Sequence, residues 1–550
     1  MSTTRSDHQI GLASLAPMNG RPFILLVLFI LSSTSPAPAQ NGFQFRNWKP
    51  ALNDGANVKP KRAEAGCGAL VSLTGHEFSI ETATPVPASG DMPEYCHITG
   101  QILPEIRFEL SLPASWNTRF YMFGNGGYAG EPLTATPRVN TRNTALKAGF
   151  AVAQTNTGHD AANEPLGTFA ANRQKLLDYA FRAVHVTAET SKRIIREYYG
   201  AAPARSYFDG CSTGGRQGLM SAQRFPDDFD GIVVGAPVLD FTGTMTNYVS
   251  VVRALEAAPV PIEKLKIVAE RVYAKCDGAD GLVDGLIDDP RRCAFDPAKE
   301  LPLCANDGAN DVSGKDCFTA AQIRTLNVIY RGAESGGKRI FWGQPVGAEI
   351  GAPTQSIWAN WIISPTGRTI SYNFAETFFR YLAFPKPDPN YDFKTFNLET
   401  DLPRLQPISD ILNAKNSDLT RFKSRGGKIV MYFGWADTAL NPLMGVDYYE
   451  KVSARFGPST PATMDFFRLF MVPGMAHCRG GVGTDQCDFL TALVEWVEKG
   501  VAPKQIVASQ SRDGKIVRTR PLCPYPQVAK HNGTGSPDDA QSFVCANPEK

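Results

Sequence analysis

Between Ser206 and Arg224 the chain reads SYFDGCSTGGRQGLMSAQR, and this passage decides the fold. Ser206, Tyr207 and Phe208 read as a short buried strand and Arg216 to Arg224 as a helix. Between them, Gly210-Cys211-Ser212-Thr213-Gly214 matches G-x-S-x-G. A serine lifted above the end of a sheet needs a sharp strand-to-helix turn, with glycine on both sides because the backbone is strained and the helix packs close. The same turn sets the amide of Thr213 at a helix N-terminus. The pentapeptide also arises by chance as an ordinary Gly/Ser turn, so the flanking strand and helix give it its weight.

Working outward, strand-like runs alternate with helical ones. Arg119 to Phe123 and Gly149 to Ala153 precede the motif, a helical pattern covers 176–199, and Gly231 to Val234 follows. Such alternation implies a largely parallel sheet. Beyond about Leu239 the texture changes to paired cysteines, acidic loops and aromatic clusters that include Trp358, Trp361, Phe374, Phe378, Phe379 and Tyr381. The α/β pattern resumes at Lys428 to Phe433, Phe466 to Val472 and a helix over 489–499. One sheet with one large insertion accounts for this better than consecutive domains. The expected fold is one α/β core over 40–239 and 426–550, interrupted by an insertion over 240–425.

A serine hydroxyl is a weak nucleophile at neutral pH and needs a general base held by a carboxylate. His477 lies in Val472-Pro473-Gly474-Met475-Ala476-His477-Cys478, directly after an apolar strand, and Asp437 ends Gly434-Trp435-Ala436-Asp437 after another. Alone, His477 reads as a loop histidine and Asp437 as a turn or helix cap. Three residues at three strand ends in the order Ser212, Asp437, His477 match the hydrolase order. An oxyanion requires two backbone donors. The amide of Thr213 supplies one, and Gly124-Asn125-Gly126-Gly127, which follows an earlier strand, supplies the other. Gly126 is favoured there, with Asn125 and Gly127 left open.

Phe23 to Leu31 reads FILLVLFIL, preceded by Arg21 and followed by SSTSPAPAQ. Nine apolar residues at about 1.5 Å each fall far short of the roughly 30 Å hydrocarbon core. Residues 1–39 therefore read as a signal peptide cleaved after Ala39, which places the mature chain outside the cytoplasm, secreted or periplasmic, without a membrane anchor. Export favours pairing of the eleven cysteines. Their odd number leaves at least one free thiol or an intermolecular bridge, and no CxxC or zinc-spaced cluster is present. With 56 Lys+Arg against 54 Asp+Glu, the formal charge is +2, which gives no electrostatic support for a nucleic-acid or anionic-membrane partner. A hydrophobic share of 43% with 20% charged residues excludes wholesale disorder.

Cys211-Ser212, His477-Cys478, the Gly434-Trp435-Ala436-Asp437 segment and the loop CDGADGLVDGL from Cys276 to Leu286 together resemble the tannase and feruloyl esterase family, which includes mono(2-hydroxyethyl) terephthalate hydrolase. The resemblance runs from about Cys67 to Cys545. It implies a secreted serine esterase of aromatic acid esters, a small-molecule substrate, an α/β-hydrolase core with the 240–425 insertion as a large lid domain, and a structural calcium in that lid. The residue types agree in two places. Cys211 and Cys478 flank nucleophile and base, where a bridge would hold both loops in register. Asp277, Asp280 and Asp284 crowd three carboxylates into eight residues, a repulsive arrangement unless a hard cation neutralises it, and the carbonyls of Leu282 and Leu286 would complete an oxygen shell. By itself that spacing reads equally as a solvated acidic turn. The remaining bridges expected are Cys67–Cys96, Cys276–Cys293, Cys304–Cys317 and Cys523–Cys545, with Cys487 left as an inert, partly buried thiol. The oligomeric state is left open by the sequence, with a monomer compatible with it. A non-catalytic, calcium-stabilised binding module is the competing reading, disfavoured because such a module needs no intact Ser, Asp and His.

Overall fold

The computed structural model describes residues 60–305, 316–349, 357–364, 367–457 and 460–548. The expected leader over 1–39 lies outside them. Nine strands form the central sheet: β1 Phe78–Val86, β2 Tyr95–Ile102, β3 Ile106–Pro113, β4 Arg119–Phe123, β5 Ala151–Thr155, β6 Arg205–Cys211, β7 Gly231–Gly235, β8 Lys428–Gly434 and β9 Phe467–Val472. Their order across the sheet is β1-β2-β3-β5-β4-β6-β7-β8-β9.

From β5 to β9 every neighbouring pair is parallel. The helices α1 Thr136–Lys147, α2 Ala183–Tyr199 and α3 Thr213–Arg224 provide the first crossovers, as parallel neighbours require. β1 pairs antiparallel with β2, β2 with β3, and β3 with β5. The sheet is therefore mixed, with an antiparallel flank that the strand-helix alternation did not disclose. The links between β1, β2 and β3 are only a few residues long, enough for a hairpin and too short for a crossover helix.

β4, β5 and β7 are buried along their whole length. Helices cover both faces of such strands, which is why they read as unbroken apolar runs rather than alternating ones. α2 turns one stripe inward through Val184, Ala188, Ile194, Ile195 and Tyr198, at helical spacing.

Between β7 and β8 lies the long insertion. Its first part includes α4 Phe241–Ala257, α5 Leu265–Cys276 and α6 Ala320–Arg331, and it packs a second apolar cluster that includes Leu265, Val268, Val272, Leu326 and Trp358. Its later part, with α7 Ile370–Thr377, returns Phe378, Phe379, Phe393 and Phe396 to the main core. Helix α8 Pro442–Phe456 joins β8 to β9, and α9 Phe489–Lys499 follows β9.

All five expected bridges are formed: Cys67–Cys96, Cys211–Cys478, Cys276–Cys293, Cys304–Cys317 and Cys523–Cys545. Cys487 is a free, buried thiol. Burial, reinforced by the nearby carboxylates Asp485 and Asp488, pushes that thiol far above its ordinary value, so it stays protonated and unreactive.

Candidate active site

Ser212 stands between the end of β6 and the start of α3 with φ +63° and ψ −120°. Positive φ in a residue with a Cβ is strained and persists only where the surroundings enforce it. Here the Ser212 amide donates to the Gly235 carbonyl at 2.9 Å, and the Ser212 carbonyl accepts from the Arg216 amide at 3.0 Å. A Cβ on Gly210 would come within 2.5 Å of the Gly214 carbonyl carbon. The first glycine of the motif is thus demanded by the close return of the chain.

Asp437 and His477 are set by two loops stitched together at the ends of β8 and β9. The Trp435 amide donates to Val472 O at 2.9 Å and the Ala436 amide to Met475 O at 3.0 Å. Within this frame the imidazole Nδ1 of His477 lies 2.8 Å from Asp437 Oδ2. The other carboxylate oxygen, Oδ1, accepts the amides of Ala439 and Leu440 at 3.0 and 2.9 Å. Asp437 is wholly buried and His477 nearly so. With both its oxygens committed, the carboxylate presses the Nδ1–H tautomer on the ring and leaves Nε2 with its lone pair. Nε2 lies 3.7 Å from Cys478 Sγ, and that sulfur is bonded to Cys211, the residue before Ser212. The bridge spans 267 residues of sequence and ties the serine turn to the histidine loop.

The loop after β4 faces this turn, and most of its polar groups are engaged. The Gly124 amide donates to Asp209 O at 2.9 Å, and the Asn125 amide to Gln217 Oε1 at 3.0 Å. The Gly126 amide donates to Glu131 Oε1 at 2.7 Å. The Gly126 N–H, expected to receive the oxyanion, is thus already bonded to a carboxylate. The Gly126 carbonyl accepts the Ala129 amide at 2.7 Å, and the Gly127 carbonyl accepts the Thr213 hydroxyl at 2.5 Å and Tyr179 Oη at 3.2 Å. The Gly127 amide donates to no partner among the described residues. Thr213, the first residue of α3, therefore meets Gly127 directly. Glu131, Gln217 and Tyr179 were missed in the sequence, since a lone Glu, Gln or Tyr in an ordinary setting carries no motif.

An aromatic wall joins the two halves. Trp361 lies edge-on to His477 with centroids 6.0 Å apart, Phe374 packs 5.9 Å from Trp361, and Tyr128 stacks on Phe374 at 4.9 Å. Trp361 and Phe374 remain partly exposed. Trp358, Phe378 and Phe379 are fully buried. Arg380 pairs with Glu376 at 3.1 Å.

The acidic loop is organised by its own backbone. Asp277 accepts the amides of Asp284 and Gly285, Asp280 accepts that of Leu282, and Asp284 accepts that of Leu286. Arg520 reaches Asp284 Oδ2 at 2.5 Å. Asp288 Oδ1 is buried with no hydrogen-bond partner among the described residues. An all-oxygen set with an orphaned carboxylate oxygen beside it suits a hard cation in chemistry. Among the described residues, however, no three acidic, His or Cys side chains converge on one ion, so backbone carbonyls are needed to complete a shell.

A mixed α/β sheet with a serine on a strained strand-to-helix turn and a buried His–Asp pair at neighbouring strand ends defines an α/β-hydrolase-like enzyme. Residues 91–546 match the family described as tannase and feruloyl esterase, and the chain belongs to that family. An uncharacterised esterase of Xanthomonas campestris pv. campestris is 34% identical, with 90% of this chain and 93% of that one covered. The mono(2-hydroxyethyl) terephthalate hydrolase of Piscinibacter sakaiensis is also 34% identical, over 89% and 93%. Feruloyl esterase B from Aspergillus oryzae superposes with a TM-score of 0.76 at 27% identity, covering 88% of this chain and all of that one. The protein is a carboxylic ester hydrolase, which sets aside the non-catalytic reading.

Proposed function

We propose that the protein hydrolyses aromatic carboxylate esters through an acyl-enzyme, with Ser212 as nucleophile, His477 as general base and then acid, and Asp437 as the group that orients the imidazole. The observation that carries this reading is the 2.8 Å His477–Asp437 pair, bridged by Cys478–Cys211 to the residue preceding Ser212. Ser212 Oγ attacks the ester carbonyl and passes its proton to Nε2. The imidazolium returns that proton to the leaving alcohol, and water activated by the same nitrogen releases the acid. The developing oxyanion is received by the amides of Thr213 and Gly127. Trp361 and Phe374 offer flat apolar surface for the aromatic acyl group.

Within that class, feruloyl and galloyl esters are the first candidates. The 34% identity to a terephthalate monoester hydrolase favours a second, in which the acyl group carries a carboxylate. Methyl ferulate, methyl gallate and mono(2-hydroxyethyl) terephthalate, assayed side by side for released acid, decide among them. Failure to turn over any aromatic ester while a short aliphatic ester is cleaved would overturn the aromatic reading.

The insertion over 240–425 serves as a lid that brings Trp361 and Phe374 to the catalytic end of the sheet. A calcium ion in the loop of Asp277, Asp280 and Asp284, completed by the carbonyls of Leu282 and Leu286, neutralises the acidic cluster and supplies structural rather than chemical support. The five bridges and the expected leader support a secreted or periplasmic location.

A further inference from the structure

We infer that Glu131 is a positioning residue for ester hydrolysis: its carboxylate clamps the glycine-rich loop so that the Gly127 amide points at the oxyanion. The inference rests on the Ser212 reading above. Two adjacent glycines, with Gly127 at φ +51°, form a segment whose peptide planes turn over at little steric cost. An amide in such a segment donates to a transition state only if something fixes its plane in advance. Glu131 does so from one side with both oxygens, Oε1 receiving the Gly126 amide at 2.7 Å and Oε2 receiving Asn125 Nδ2 at 2.9 Å.

The consequences run along the chain. The peptide unit joining Gly126 to Gly127 is planar, so its C=O and N–H point in opposite directions. Its carbonyl is turned toward Ala129, and its N–H is therefore turned away from the loop's interior. The following carbonyl, that of Gly127, is fastened by Thr213 Oγ1 to the helix that starts beside the nucleophile and by Tyr179 Oη to the turn that precedes α2. Glu131 sets the orientation at one end of this short run, and Thr213 sets it at the other.

A negative charge so close to a developing oxyanion opposes catalysis unless it is offset. The nearly fully buried Arg138, whose Nη1 lies 3.8 Å from Glu131 Oε2 and which donates to the Gly124 carbonyl at 3.3 Å, provides the offset. Glu131 touches neither substrate nor the reacting atoms in this scheme. It acts through Gly126 and Asn125.

The test uses the full-length enzyme with Glu131→Ala, Glu131→Gln, Ser212→Ala and, as a control, Glu164→Gln. Glu164 lies along the same polar cleft and pairs with Lys175 at 2.8 Å. Glu131→Ala should lower kcat by about 10- to 100-fold with KM changed less than about twofold, since the lost interaction matters in the transition state. Glu131→Gln keeps one acceptor for the Gly126 amide but opposes a donor to Asn125 Nδ2, and should lose less. The inhibition constant of an aryl boronic acid, which places an oxygen where the oxyanion forms, should rise in step with the fall in kcat/KM. That of the aromatic acid product should not. A purely structural role would lower melting temperature without this split between the two inhibitors. Glu164→Gln should match the wild type. Both Glu131 variants turning over like wild type, or losing kcat with boronate affinity intact, would overturn the clamp. Ser212→Ala retaining activity would instead sink the underlying triad, so the two failures are distinguishable.

Discussion

At the scale of single residues, the site depends on atoms that have only one arrangement open to them. Asp437 Oδ1 sits under two backbone amides and Oδ2 faces His477 Nδ1. In Asp437→Asn the amide carbonyl must take the place beneath the two N–H groups, which turns the side-chain NH2 toward the ring. The imidazole then has to accept at Nδ1 and carry its proton on Nε2, where a lone pair is needed. A fall in kcat of about 10⁴-fold with near-normal folding is expected, measured by steady-state hydrolysis and thermal melts. Retention of near-normal turnover would remove Asp437 from the triad. Gly210→Ala tests the turn itself. Its Cβ would collide with the carbonyl carbon and oxygen of Gly214, at 2.5 and 2.6 Å, so the elbow must open, and activity should be lost even where the protein is recovered folded.

At the scale of elements, the disulfide from β6 to the loop after β9 joins the Ser212 turn to the His477 loop, and in the proposed mechanism it keeps nucleophile and base in register. A loop of this length is worth about 5 to 6 kcal/mol in the chain-entropy account, reduced by the other bridges that already restrict the unfolded chain. Cys211→Ser with Cys478→Ser should lower both melting temperature and kcat, whereas Cys523→Ser with Cys545→Ser, which frees only the C-terminal hairpin, should spare kcat. Equal kcat in the two double variants would refute the stapling role. β6 also carries Asp209, which burial pushes up to about 8 from an ordinary value of 3.8, while the Tyr121 hydroxyl bond opposes the rise. Between those values the folded protein holds a proton that the unfolded chain has released. Stability contributed by the neutral acid is therefore present at low pH and declines as pH rises through the window toward 8. In Asp209→Asn this decline should vanish, and denaturant unfolding at about pH 5 and pH 8 should differ less than in the wild type. An unchanged difference would show that Asp209 is ionised across that range.

At the scale of the whole molecule, two apolar clusters and an acidic loop divide the work. The second cluster, which includes Leu265, Val268, Val272 and Trp358, belongs to the insertion, and the acidic loop continues directly from α5 of that cluster. On the proposal that this loop holds calcium, the ion would stabilise the folded state in proportion to the logarithm of its excess over Kd. Chelation should lower the melting temperature while leaving the rate of fluorophosphonate labelling at Ser212 little changed at ambient temperature. A melting temperature indifferent to both chelator and added calcium would defeat the metal assignment.

The sequence by itself determined the serine turn, the strand ends that carry Asp437 and His477, and the pairing of the four short-range disulfides, because each is a local pattern with a strict steric or chemical requirement; the Cys211–Cys478 bridge, 267 residues apart, was expected only beside the family resemblance. Gly210, Ser212 and Gly214 are legible since a strained turn admits few residues, and neighbouring cysteines in small loops have few partners within reach. The mixed character of the sheet was not legible, because the pairing direction of β1 to β3 depends on link lengths and not on the composition of the strands. Nor was the choice of amide in the loop after β4. Gly126 and Gly127 are the same residue in the same motif, and only the tertiary approach of Glu131, five residues on, and of Thr213 and Tyr179 from other elements separates them. A hydrogen bond between groups from different elements leaves no trace in local sequence, and here such bonds separate the two glycines, leaving the Gly127 N–H without a partner among the described residues.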